Sequence, residues 1–240
     1  DKDKNDIDKQ NSDKQNCNLV VSSENLIKEL DSKTGASLKF KILNPDGHIW
    51  TLVAGGGASV LYTDAIINLG YLKSLGNYGE YSGNPSSNEV KQYADIIFKQ
   101  ACSNNQKELL FILGGGVSNF TLVDQTFLGM SSAIEENKDI LKNKNAKFVV
   151  RRGGLNYLKG FEYLNTVCSK YDISLETFGP DKHITSFLTD YLENKNEQIS
   201  NSVSDDLNTD FKKVEDIILE DDFNLSKIIN QIKDVNDLEG

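Results

Sequence analysis

Apolar positions along the chain alternate between two periods. Short dense runs at Ile49–Val53, Tyr78–Ser82, Leu109–Leu113, Lys147–Val150 and Leu175–Phe178 have strand length, and glycines or a Gly-Pro pair follow each one. Each run then gives way to a segment with helical spacing: Leu61, Ala65 and Leu69; Val90, Tyr93, Ala94, Ile97 and Ala101; Val123, Phe127, Met130 and Ile134; Tyr157, Phe161, Leu164, Cys168 and Tyr171; Ile184, Phe187, Leu188 and Tyr191. Five strands alternating with five helices predict right-handed parallel crossovers. The fold class is therefore α/β, a doubly wound parallel sheet in three α/β/α layers. Two further alternating segments, around Leu38–Leu43 and His48–Val53, flank Asn44-Pro45-Asp46-Gly47 and predict an N-terminal β-hairpin. Ser86 and Glu89 predict a capping box.

In a doubly wound sheet, ligands collect at the carboxyl ends of the strands, and all the glycine loops lie at that edge. The third unit stands out. Leu109-Leu110-Phe111-Ile112-Leu113 runs into Gly114-Gly115-Gly116-Val117-Ser118, and Asn119 and Thr121 are then expected to open a helix. The unpaired N–H groups and positive dipole end of a helix start favour a carboxylate or phosphate. Gly114, Gly115, Gly116 and Ser118 are accordingly read as an anion-cradle loop. No Gly-Lys-Ser/Thr follows, and the spacing is not Gly-x-Gly-x-x-Gly, so nucleotide binding is disfavoured. Arg151 and Arg152 end the fourth strand. Strand alternation turns them to opposite faces, one toward the ligand crevice to grip a carboxylate and the other to brace a loop.

Charge narrows the range of partners. Residues 193–240 hold 13 Asp/Glu against 5 Lys/Arg and so carry −8 of the net charge of −10, which leaves the middle of the chain nearly neutral. No basic stripe with interleaved aromatics supports nucleic-acid binding. Three cysteines, Cys17, Cys102 and Cys168, form neither a disulfide framework nor a zinc motif, and they suit a reducing compartment. No run reaches the ~20 apolar residues of a membrane helix and the start lacks a signal core, so a cytoplasmic location is expected. The start at Asp1, without methionine and in low complexity, implies a piece of something longer. Residues 1–26 read as a polar linker or insert, 27–192 as the folded domain, and 193–240 as an acidic, disordered linker. His48 and His183 are placed after a turn and at the last helix start, in packing or capping roles. Asp64, Glu80 and Asp124 are isolated carboxylates, and no Ser or Cys sits in a nucleophile elbow. No catalytic residue and no metal site is assigned.

Taken together, Gly35-Ala36-Ser37-Leu38-Lys39, Ile49-Trp50-Thr51, Val53-Ala54-Gly55-Gly56-Gly57-Ala58-Ser59-Val60, Asn77-Tyr78-Gly79-Glu80-Tyr81-Ser82-Gly83, Gly114-Gly115, Asn119-Phe120-Thr121 and Val150-Arg151-Arg152-Gly153-Gly154-Leu155-Asn156-Tyr157 resemble the citrate-binding domain of the ATP-citrate lyase family. The resemblance covers about 27–192. The succinyl-CoA synthetase beta subunit shares the fold, but Gly-Glu-Tyr-Ser-Gly and Arg-Arg-Gly-Gly-x-Asn-Tyr look like the citrate enzyme. The resemblance implies a flavodoxin-like domain that holds citrate through Gly83, Asn119, Thr121 and Arg152. It also implies helix starts in the second and third units that orient a phosphoryl group. The family pattern has a tyrosine near Asn137, where this chain departs. The implied reaction uses ATP, magnesium and CoA: a histidine is phosphorylated, the phosphoryl passes to citrate, and citryl-CoA forms and is cleaved to acetyl-CoA and oxaloacetate. The ATP-grasp, CoA-binding and lyase parts would lie outside this stretch in a homo-oligomeric parent, and neither histidine here matches the phosphorylated one. A succinyl- or malyl-CoA synthetase-like subunit and a non-catalytic binding module are the alternatives.

Overall fold

The computed structural model describes residues 22–118 and 120–196. Six strands form the main sheet: β1 (Ser37–Ile42), β2 (Ile49–Ala54), β3 (Asn77–Ser82), β4 (Leu110–Gly115), β6 (Lys147–Arg151) and β8 (Ser174–Phe178), in the order β1-β3-β2-β4-β6-β8. All neighbours are parallel except β1, which runs antiparallel to β3 from Ser37↔Ser82 to Ile42↔Asn77. The five βα units expected from the periodicity are present, with α2 (Gly56–Asn68), α3 (Ser87–Cys102), α4 (Val123–Glu136), α6 (Tyr157–Tyr171) and α7 (Ser186–Asn196) as their helices. The chain is thus α/β with helices on both sheet faces. Trp50, Leu52, Phe111, Leu113, Phe148 and Val150 point into one buried cluster with α3, α4 and α6. On the other face α2 meets α7, and the rings of Tyr62 and Phe187 stand 5.6 Å apart. Among the described residues no helix is long and apolar enough to cross a membrane.

The structure corrects the expected hairpin. The turn itself forms, with the Gly47 N–H donating to the Asn44 carbonyl at 3.0 Å, but β1 and β2 do not pair, because β3 lies between them. The turn straddles the start of β3: the Leu43 and Asn44 N–H groups both donate to the Gly76 carbonyl, at 2.9 and 3.2 Å. Alternation and turn residues fix where strands bend, whereas the choice of partner depends on which edges bury best.

Five further elements were not expected: α1 (22–33), a 3-10 turn at Leu72–Ser74, α5 (Lys138–Asn143), and a two-stranded ribbon of β5 (Val117–Ser118) and β7 (Gly153–Gly154). Helix α1 starts before the expected domain boundary at 27, and Ser23 within it is buried and donates to Gln100 at 2.6 Å. The segments 1–21 and 197–240 lie outside the described residues, and with them Cys17 and most of the expected acidic linker at 193–240.

Candidate functional site

The loops after β2, β3, β4 and β6 surround a cavity of about 450 Å³ at the carboxyl edge of the sheet. Of the expected site residues, Gly83, Gly116, Ser118, Thr121 and Arg152 line it, while Asn119 lies outside the described residues. Gly55, Gly57, Ala58 and Tyr81 line it too; they stand in the motifs that carry the resemblance but are not among the expected site residues. Among the described residues no carboxylate lines it. A neighbouring cavity of about 530 Å³ shares Gly83 and Pro85 but is faced by Glu89, which would repel an anion.

Three helices begin around this edge, and their starts differ. The expected capping box on α3 is complete: Ser86 Oγ accepts from the Glu89 N–H at 3.3 Å, and the Ser86 N–H donates to Glu89 at 2.7 Å. By contrast, α2 follows Gly55 with no side-chain cap and no acid in its first turn, and α4 follows Leu122 with no side-chain cap. At α2 the first-turn N–H groups have no side-chain cap, whereas at α4 the Leu122 N–H donates to Asn84 Oδ1 at 3.2 Å and the Val123 N–H to the Leu155 carbonyl at 3.1 Å. Asp124 lies in the first turn of α4 but is turned to the far side. It accepts from Asn156 Nδ2 at 3.2 Å and has Lys159 3.7 Å away. Burial works against its charge, yet these partners hold the carboxyl below its usual range.

Two expectations about the third unit need correction. The Asn119/Thr121 pair does not open the helix, which starts at Val123. Instead, the Thr121 N–H donates to Ser118 Oγ at 2.9 Å, closing a loop of its own. Nor are Gly114 and Gly115 the turn. Both belong to β4, in register with Val53 and Ala54 of β2, and only Gly116 faces the cavity. What the first two supply is room. A Cβ on Gly114 would stand 2.4 Å from the Tyr62 ring, and one on Gly115 would stand 2.2 Å from Arg152 Nη1.

The arginines divide as alternation predicts. Arg151 braces loops, donating to the carbonyls of Gly115 at 2.9 Å, Lys182 at 3.0 Å and Pro180 at 3.2 Å. Arg152 lines the cavity at 2% exposure; its Nη1 donates to the Gly116 carbonyl at 2.7 Å, and its Nε has no partner. Among the described residues neither arginine has an acid within ion-pair distance. Such a charge is costly to bury, by several kcal/mol, unless an anion joins it.

Behind the start of α2, Glu80 is buried and accepts from the Tyr78 hydroxyl at 3.0 Å and the Ser82 hydroxyl at 3.4 Å. Burial raises its carboxyl above the usual value despite those bonds. Asn137 is remote from the cavity. It sits at the carboxyl end of α4, where its Nδ2 donates to Asp95 and to the Ala133 carbonyl, both at 2.8 Å. The departure at this position therefore does not touch the cavity. Neither histidine lines it either, and His183 precedes α7 rather than starting it. Burial pushes the thiols of Cys102 and Cys168 up to about 12, too high for a nucleophile at neutral pH.

Residues 18–194 match the family described as ATP citrate lyase citrate-binding. ATP-citrate synthase alpha chain protein 2 of Arabidopsis thaliana is 44% identical over 176 residues, which are 73% of this chain and 42% of that protein. Human ATP-citrate synthase is 43% identical over 166 residues, 69% of this chain and 15% of that protein. The structure of ATP citrate lyase from Methanothrix soehngenii in complex with citrate and coenzyme A matches with a TM-score of 0.69 and 42% identity, over 71% of this chain and 45% of that one. The chain spans less than half the length of these relatives. On its sequence match, and with a fold to suit, the chain belongs to the ATP citrate lyase citrate-binding family.

Proposed function

We propose that this chain is the citrate-binding module of an ATP-citrate lyase and that the cavity at the carboxyl edge holds citrate for phosphorylation. The observation that carries this reading is Arg152, a buried cation with an unpartnered Nε in a cavity that no carboxylate among the described residues lines. A tricarboxylate that is ionised at neutral pH supplies the missing counter-charge. Gly83, Asn119, Thr121 and Arg152 are the proposed citrate contacts. Gly116 and Ser118 shape the loop, and Gly114 and Gly115 make room behind it. The uncapped start of α2 adds fixed positive potential.

The lining groups suit carboxylate oxygens, and among the described residues they offer no acid to hold magnesium. ATP, magnesium and CoA are accordingly assigned to other parts of the parent enzyme, and the fragment alone does not turn over. In the parent, citrate would proceed through citryl-CoA to acetyl-CoA and oxaloacetate. The chain's role is to bind citrate, orient one carboxylate and exclude water from it. The folded module would be joined through polar segments near 1–26 and 193–240 to the remaining modules of a cytoplasmic homo-oligomer. Calorimetric competition among citrate, malate and succinate tests the substrate. Citrate is expected to bind tightest, whereas a preference for a dicarboxylate would point to the succinyl- or malyl-CoA synthetase type.

A further inference from the structure

Among the described residues only three buried side-chain polar atoms lack a hydrogen-bond partner: Ser131 Oγ, the Tyr81 hydroxyl and Arg152 Nε. Tyr81 and Arg152 both line the cavity at the sheet edge. An orphaned buried polar atom forfeits its hydration without return, about 1–3 kcal/mol each, so two at one cavity need a common cause. Tyr81 is 1% exposed and firmly seated. Its ring meets Tyr93 edge-on at 6.3 Å, its backbone carbonyl accepts from the Gly55 N–H at 2.9 Å, and its Cα is in register with Leu38. Thr126, in the first turn of α4, is near the hydroxyl; its Oγ1 donates to the Val123 carbonyl at 2.9 Å and makes no hydrogen bond of acceptable geometry with the phenol. Strand register puts Tyr81 and Arg152 on the same sheet face, and the Arg152 cation works against the upward push of burial on the phenol.

We propose that the Tyr81 hydroxyl is a ligand-binding group of this site, donating a hydrogen bond to an oxygen of the bound carboxylate beside Arg152. A neutral phenol and an arginine Nε are both donors, and two donors without an acceptor match one anionic group that accepts from both. Tyr81 thereby becomes a specificity residue, because a ligand whose oxygen fails to reach it leaves the hydroxyl buried and unpaired. This rests on the citrate reading given above.

The test is Tyr81→Phe in the full chain, which removes one oxygen and keeps the ring. Because the hydroxyl has no partner without ligand, the melting temperature should stay level or rise. Citrate affinity by calorimetry should fall about tenfold, the size of one hydrogen bond at about 1.4 kcal/mol per decade. Proton NMR of the unsubstituted chain provides a second readout independent of the variant: adding citrate should bring out a slowly exchanging tyrosine hydroxyl proton with a cross-relaxation peak to its own ring. If citrate binds the Tyr81→Phe chain as tightly as wild type while Arg152→Ala still weakens it, the Tyr81 assignment is overturned and the citrate reading stands. If wild type does not bind citrate, both fall.

Discussion

Arg152 and Gly115 share one space: the guanidinium Nη1 lies 2.2 Å from where a Cβ on Gly115 would begin. The last residue of β4 thus decides whether the arginine after β6 can reach the cavity. Gly115 also has a backbone φ of +155°, which side chains rarely adopt. Gly115→Ala should therefore cost about 1–3 kcal/mol by overpacking and lower citrate affinity together with stability. Gly116→Ala, with nothing within 4 Å of the added carbon, should leave the melting temperature nearly unchanged. Thermal melts and citrate titrations of the two variants check the contrast.

Glu80 offers a pH test. Burial raises its folded pKa above the ordinary 4.5. Its contribution to stability is therefore fully present below that value and is lost as pH rises through the folded one. Glu80→Gln should stabilise the chain at pH 7, with the gain shrinking toward zero below pH 4.5. Removing a negative charge behind the start of α2 should also tighten anion binding at pH 7. Urea unfolding across the pH range, with citrate titrations at pH 7, measures both.

Asn137 separates stability from binding. Asn137→Ala removes its bonds to Asp95 and the Ala133 carbonyl and should cost about 1–2 kcal/mol. Citrate affinity should be unchanged. A loss of affinity in a folded Asn137→Ala chain would show that the cavity extends farther than the lining described above.

Much of this could be read from periodicity. The opposite duties of Arg151 and Arg152 follow from the period of two in β6, and the Ser86/Glu89 cap follows from local spacing. Strand pairing could not be read, since Asn44–Gly47 is a sound turn whether or not a third strand slips between its arms. Whether the departure at Asn137 bears on the cavity could not be read from motif position, which says nothing of distance, although the 14 residues of α4 at about 1.5 Å each put its two ends about 20 Å apart. The part played by α2 had a signal in Gly55-Gly56-Gly57, a helix start with no Ser, Thr, Asp or Asn to cap it. Tyr81 stood in the Gly-Glu-Tyr-Ser-Gly motif, yet a tyrosine in a strand looks like core until its hydroxyl is found without a partner.

The central claim is that Arg152 is the buried counter-charge for citrate. Calorimetric titration of citrate into the full chain and into Arg152→Ala tests it most directly, with circular dichroism to establish that both are folded. The account predicts that wild type binds and that the variant binds about tenfold to a hundredfold more weakly, equivalent to ~1.4–2.8 kcal/mol. Equal affinity in a folded Arg152→Ala chain would contradict it.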